Sequence, residues 1–362
     1  LNRNWTVSVE GILTKNIYET KVTNVNILPP LKRSSTPDTR NIYSLNTVPD
    51  QIPVAANGGN PYTGQVFLMS NNHGKKGSSY NISFITDKQF NTNFYFNASY
   101  TYGNSKVLFE TSLNNSLIGS QWKSNETVNG KNFSVLSVSD VDMHHKISAN
   151  VLKKFIYAKN HLATTVTLFY NGQSGSPYSY VYTGSIINDN GNRENDNLIY
   201  IPGIEQLNAM SFIPNVVGAV TYTPQQQKDL LNDFIEKDKY LREHRGEFAE
   251  RNGARLPFSH VVDIRVQQDF KLKIRNKETG FSITLDVFNF ANMLNKKWGR
   301  LYVMGGDSFQ LIRFAGYANT ATLTPQYQFT PLNGTPYSVQ SGTLPGNSAR
   351  WISQLGFRIN FN

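Results

Sequence analysis

The chain contains no cysteine in its 362 residues, which excludes disulfides, zinc-thiolate sites and a cysteine nucleophile. It has no apolar run of the length a transmembrane helix needs, so any membrane crossing must be made by strands, whose signal per segment is weak. Charged residues are scarce at 17%, and the 35 Lys and Arg are interleaved with the 25 Asp and Glu. Without a basic tract, the formal charge of +10 does not mark a nucleic-acid binder; we read it as solvation or attraction to anionic lipid headgroups. The Gly-x-Ser-x-Gly elbow, the phosphate loop and the His-Glu-x-x-His zinc motif are missing as well, so neither an enzyme nor a cofactor is expected.

What the chain does have is alternation. At its end, Trp351, Ser353, Leu355, Phe357, Ile359 and Phe361 alternate with Ile352, Gln354, Gly356, Arg358 and Asn360. Successive strand side chains point to opposite faces, so 349–361 predicts a strand with one apolar and one wet side. Its length suits a tilted bilayer crossing, and the aromatic one residue from the terminus is typical of an outer-membrane barrel.

The same pattern recurs near 4–15, 78–90, 93–103, 143–155, 160–171, 259–272 and 280–291. Segments 16–76, 104–140, 172–258 and 292–348 are long connections, and those between them are short turns. Transmembrane barrels keep short turns on the periplasmic side and long loops outside, whereas a soluble sandwich has no reason to alternate. The expectation is an all-β transmembrane antiparallel barrel with its C-terminus in the periplasm and one loop helix at about 225–245, stopped near Gly246. The wet faces carry Glu10, Asp87, Asp263, Arg265, Asp269, Asp286 and Arg358, charges that a wide aqueous lumen accommodates better than an eight-stranded, side-chain-filled barrel. No signal peptide precedes Leu1, and the first residues lead straight into a strand, so the chain reads as a fragment.

Several landmarks carry a resemblance. Asn171-Gly-Gln-Ser-Gly-Ser-Pro-Tyr-Ser-Tyr, Glu194-Asn-Asp-Asn-Leu-Ile-Tyr-Ile-Pro, Arg251-Asn-Gly-Ala-Arg-Leu-Pro-Phe, Leu285-Asp-Val-Phe-Asn-Phe-Ala-Asn-Met-Leu-Asn-Lys-Lys-Trp-Gly and Ser348-Ala-Arg-Trp-Ile-Ser-Gln-Leu-Gly-Phe-Arg follow one another in that order. In this the chain resembles Oar-like TonB-dependent receptors of Bacteroidetes-type bacteria from about residue 75 onward; the terminal Asn362 after the aromatic departs from the pattern. The resemblance implies the last eight strands of a 22-stranded outer-membrane transporter, with the plug domain absent from this chain. It implies ligand capture by outer loops and energised uptake through TonB. The implied partners are TonB by way of the missing plug, the N-terminal part of the same barrel, outer-membrane lipid and lipopolysaccharide, and a surface lipoprotein, with no nucleic acid. Two alternatives without active transport stand beside it: a surface binding, adhesin or structural barrel protein, and a small self-closed barrel.

Candidate sites are few. The loop tyrosines Tyr178, Tyr180 and Tyr182 are open to a ligand role, while Tyr100, Tyr102 and Tyr170 read as an interfacial aromatic girdle. Asp189, Asn190, Asn192 and Asp196 form an oxygen-rich run around Gly191 suggestive of a calcium loop, but without EF-hand spacing, so a solvated turn is the simpler reading. His144 and His145 are adjacent, which on a strand points them to opposite faces and away from a shared ion. The ligand itself is not legible.

Overall fold

Eight long strands form one antiparallel sheet in chain order: β1 (Trp5–Lys15), β2 (Ser78–Asn91), β3 (Phe94–Val107), β4 (His145–Tyr157), β5 (Leu162–Gln173), β6 (Ser259–Ile274), β7 (Lys277–Phe288) and β8 (Ile352–Phe361). A two-residue strand, Ser137–Val138, adds to β3. The computed structural model describes all residues except 1–3, 28, 35–36, 44–53, 56–60, 63–65, 73, 75, 110–121, 190–195, 275–276, 333, 341–348 and 362. Strands fall where the alternation places them, within a few residues. β7 ends earlier than expected because Asn289 turns left-handed (φ 53°), its N–H held by Asp263 at 2.7 Å, and leads into the short helix α4 (Phe290–Leu294).

Register makes the two faces continuous. One row of paired residues runs Trp5, Lys88, Phe96, Val151, Leu168, Ile264, Val287 and Ser353. It enters at the turn end of β1 and leaves at the loop end of β8, so the strands are staggered in one direction. This face holds a largely exposed apolar band: Phe84 is 50% exposed, Leu285 42% and Phe357 66%. At its turn end Lys88 lies over Trp5 (5.0 Å) and Lys153 over Phe94 (5.1 Å), with their ammonium groups beside the rings. At its loop end the girdle tyrosines pair across strands, Tyr100 with His145 and Tyr170 with His260, each at 2.8 Å.

The opposite face is mostly polar, with apolar exceptions that include Ile12, Ile85, Leu152, Ile156, Phe169, Val261, Phe288 and Ile352. Arg265 donates two bonds to Asp286, at 2.5 and 3.0 Å. Asp87 accepts from Tyr95 and Asn97, and Asp269 from Gln267 and Ser282. All seven charged residues expected on the wet side share this face. Among the described residues, β1 and β8 are the two edges of the sheet and do not pair with each other.

Every long connection leaves at one end of this wall. The short ones at the other end include Thr92-Asn93 and a turn in which Ala158, Lys159 and Asn160 all take positive φ (52°, 54° and 71°). The expected loop helix is two helices, α2 (Pro224–Lys237) and α3 (Lys239–Glu243), preceded in the chain by α1 (Ile204–Ala209). Asp238 stays extended between α2 and α3, and its carboxylate caps the second by accepting from Leu241 N–H at 2.9 Å. Gly246 (φ +87°) follows the helical stretch as a turn residue, not as its cap.

Candidate functional site: the cap and its cleft

The apolar core of the protein lies in the loops, not in the wall. Its centre is the strand Pro177–Thr183, buried from Pro177 through Tyr182. This strand runs parallel to Ser308–Asn319, and Ala254–Arg255 pairs on its other side. Ser308–Asn319 then pairs with Thr324–Gln328, which carries Ser211–Phe212. The sheet therefore interleaves the β5–β6 and β7–β8 connections. α2 closes over it with Leu231 and Ile235 buried, while Gln227 bonds Ile213 O, Tyr222 O and Phe329 N–H.

The other two long connections are locked in by buried polar groups. From the β1–β2 connection, Arg40 is fully buried: it donates to Asp38 at 2.6 Å and to Leu198 O at 2.7 Å, and stacks on Tyr182 and Phe248. From the β3–β4 connection, Lys131 donates its ammonium to Asp196 and to Asn125 O. Arg251 reaches back to Leu108 O, Val107 O and Asn125. Asn252, left-handed at φ 59°, bonds Asp140 and Val138 O with its side chain and Ser179 with its N–H. A buried charge is tolerated when it is paired, so these contacts tie all four connections into one cap.

Burial shifts the titrating groups here. Glu126 is pushed up to about 8, chiefly by burial and then by Asp307, against Arg251 and Lys131. Burial also raises Tyr178, Tyr180 and Tyr182 far above the ordinary phenol value, and Tyr240 is pushed up to about 12 for the same reason. These hydroxyls are neutral hydrogen-bonding groups over the physiological range.

At the foot of the cap lies a cleft of about 520 Å³, walled by Tyr178, Asp238, Tyr240, Glu250, Arg255 and Tyr337. Tyr178 and Tyr180 share a bond of 3.0 Å, and Tyr180 donates to Asp238 at 2.7 Å. Arg255 pairs with Asp142, whose other oxygen accepts from Ser105 N–H, so the cleft rests on the ends of β3 and β4. Aromatic faces beside hydroxyl, carboxylate and guanidinium groups suit a polar ligand with one apolar side.

Of the tyrosines open to a ligand role, Tyr180 and Tyr182 are enclosed in the core and Tyr178 meets the cleft. Asp189 and Asp196 are buried rather than solvated, and both serve Lys131, the first by accepting its backbone N–H at 2.7 Å. Asn190 and Asn192 lie outside the described residues. His144 and His145 do meet, with ring centres 5.0 Å apart, because His144 precedes the strand and escapes its alternation. Among the described residues no three His, Asp or Glu are placed to hold a metal.

Sequence reasoning missed Asp38, Arg40, Lys131 and Asp238. Arg251 and Asn252 sit in a landmark of the resemblance, and that landmark is a joint between loops. So is the one at Asn171: a Cβ on Gly175 would lie 2.3 Å from Leu256 O. Comparison of the chain with family models, with curated proteins and with solved structures finds no match.

Proposed function

We propose that the chain is a sector of the barrel wall, together with the outer cap, of a TonB-dependent outer-membrane receptor. One observation carries this reading: the register lays a largely exposed apolar band, edged by aromatic rings at both ends, along the full sheet, while every long connection folds at one end. Lipid is the medium that such a band needs. The one-way stagger and the two open edges fit a larger barrel, since a self-closed eight-stranded barrel would pair β1 with β8. The charged inner face then meets an aqueous lumen or a plug. The cap captures the ligand at the cleft beside Tyr178, Tyr240 and Tyr337, and uptake draws its energy from TonB. On this reading the chain carries no catalysis.

Because this chain holds no cysteine, labelling is read as the increase over the parent protein when a single cysteine is introduced. In intact cells a membrane-impermeant maleimide should label Thr221→Cys in the cap, label Lys159→Cys only after the outer membrane is opened, and leave Leu285→Cys on the apolar band unlabelled in both. Equal labelling of all three would sink the membrane reading. Ligand retention that survives a protonophore would instead leave a binding barrel without active uptake.

A further inference from the structure

We infer that the side chains of Lys131 and Asp196 join as an amide, a covalent cross-link between the β3–β4 and β5–β6 connections, with the neighbouring Glu126 moving the proton. Both partners are buried and in contact, the ammonium donating to a carboxylate oxygen. Two other buried carboxylates of the cap, Asp38 and Asp142, are paired with Arg40 and Arg255, whose guanidinium groups do not give up a proton. Lys131 brings an amine instead, which is a nucleophile once neutral.

The backbone holds the reacting groups in place. Thr127 pairs with Asn197 in a parallel bridge, its N–H bonding Asp196 O at 3.1 Å and its carbonyl accepting from Leu198 N–H at 3.0 Å. That register sets Glu126 beside Asp196. Lys131 is fixed by its own N–H, which Asp189 accepts at 2.7 Å, and its ammonium also bonds Asn125 O at 2.6 Å. Gly130 has φ +106°, and a Cβ there would lie 2.7 Å from the Tyr43 hydroxyl, so the turn into Lys131 needs glycine. Asn197 donates from its side chain to Asp196 Oδ1 at 3.2 Å, where negative charge develops as the amine attacks. Partners held in this way react as though highly concentrated.

The chemistry needs no further reagent. Glu126 is buried, and the charges that act on it are those of Asp307, Arg251 and Lys131; with its pKa pushed up to about 8, chiefly by burial, it carries a proton at neutral pH. The ammonium first passes a proton to Asp196, which leaves an amine and a carboxylic acid and removes two charges from the interior. The Nζ–Cγ bond then forms as the Cγ–OH bond breaks. Glu126 gives its proton to the departing hydroxyl and regains one from the attacking nitrogen, so one ammonium and one carboxylate become one amide and one water. The bond closes the chain between residues 131 and 196 into a loop and restricts the unfolded cap.

Tandem mass spectrometry of the folded, full-length protein after tryptic digestion tests this. The expected product is a branched peptide joined through Lys131 and Asp196, lighter than its two linear parts by the mass of one water and uncut after Lys131. Recovery of the two segments only as linear peptides overturns the inference and leaves an ion pair. Loss of water confined to the Asp196 peptide overturns it too, by assigning the change to a cyclic imide with Asn197. The wild-type spectrum decides between these without any variant. Lys131→Arg keeps the charge pair and should abolish the branched peptide. Glu126→Gln should slow its formation about a hundredfold in pulse-labelled protein, and linkage at the wild-type rate overturns the role given to Glu126.

Discussion

The wall and the cap solve the burial of apolar surface in opposite ways. In the wall, large apolar side chains such as Val9, Phe84, Leu285, Leu355 and Phe357 lie exposed on one face, and polar groups gather on the other. In the cap, Tyr180, Val181, Tyr182, Ile187 and Ile312 are fully buried, with charged Arg40 and Asp38 buried among them. The wall is thus held by strand pairing and depends on its surroundings for the apolar band. The cap carries its own core and is held together by a few buried polar cross-links. Damage to one should therefore spare the other.

The sharpest test of that independence is Arg40→Met. It strands the buried Asp38 carboxylate, so the cap should lose about 3–5 kcal/mol. Loop proteolysis should accelerate while the heat-modifiable mobility of the wall is unchanged, and adding Asp38→Asn should recover part of the loss. A wall that fails together with the cap would break the comparison.

Next comes Leu168→Arg, in the middle of the apolar band. In a bilayer it should cost about 2–4 kcal/mol, whereas Gln267→Arg on the wet face should cost almost nothing, as read by urea unfolding in lipid vesicles. Equal effects would mean that the band does not face lipid.

Glu126 gives the cap a pH dependence of its own. Its folded pKa, near 8, lies above the usual 4.5, so between these values the folded cap holds a proton that the unfolded chain releases. Its contribution is fully present below about pH 4.5 and is lost as pH rises through 8, with a slope of at most about 1.4 kcal/mol per pH unit. Hydrogen exchange in the cap should quicken from pH 6 to pH 8 beyond the intrinsic rate change, and Glu126→Gln should flatten this. The smallest effect is in the turn between β4 and β5. Lys159→Gly relieves a left-handed residue and should stabilise the wall by about 0.5–1 kcal/mol in the same vesicle unfolding assay.

How much was legible differs between the two regions for one physical reason. Strand alternation is local, with a period of two, and each wall residue needs only to lie on the apolar or the wet face. So the strands, their faces, the seven wet charges and the rhythm of long and short connections could all be read from the chain. Where a residue escaped the strand geometry, as at His144 and Asn289, local reading placed it wrongly. The cap depends on contacts between residues far apart in sequence. Arg40 bonds Leu198, Arg251 bonds Leu108, and Lys131 meets Asp196. No periodicity announces such pairs, because each partner is an ordinary polar loop residue until packing removes its water. Alternation along the chain was enough to read the wall, whereas the shared core of four polar loops emerged only from packing, because a core's membership is set by which groups lose water together.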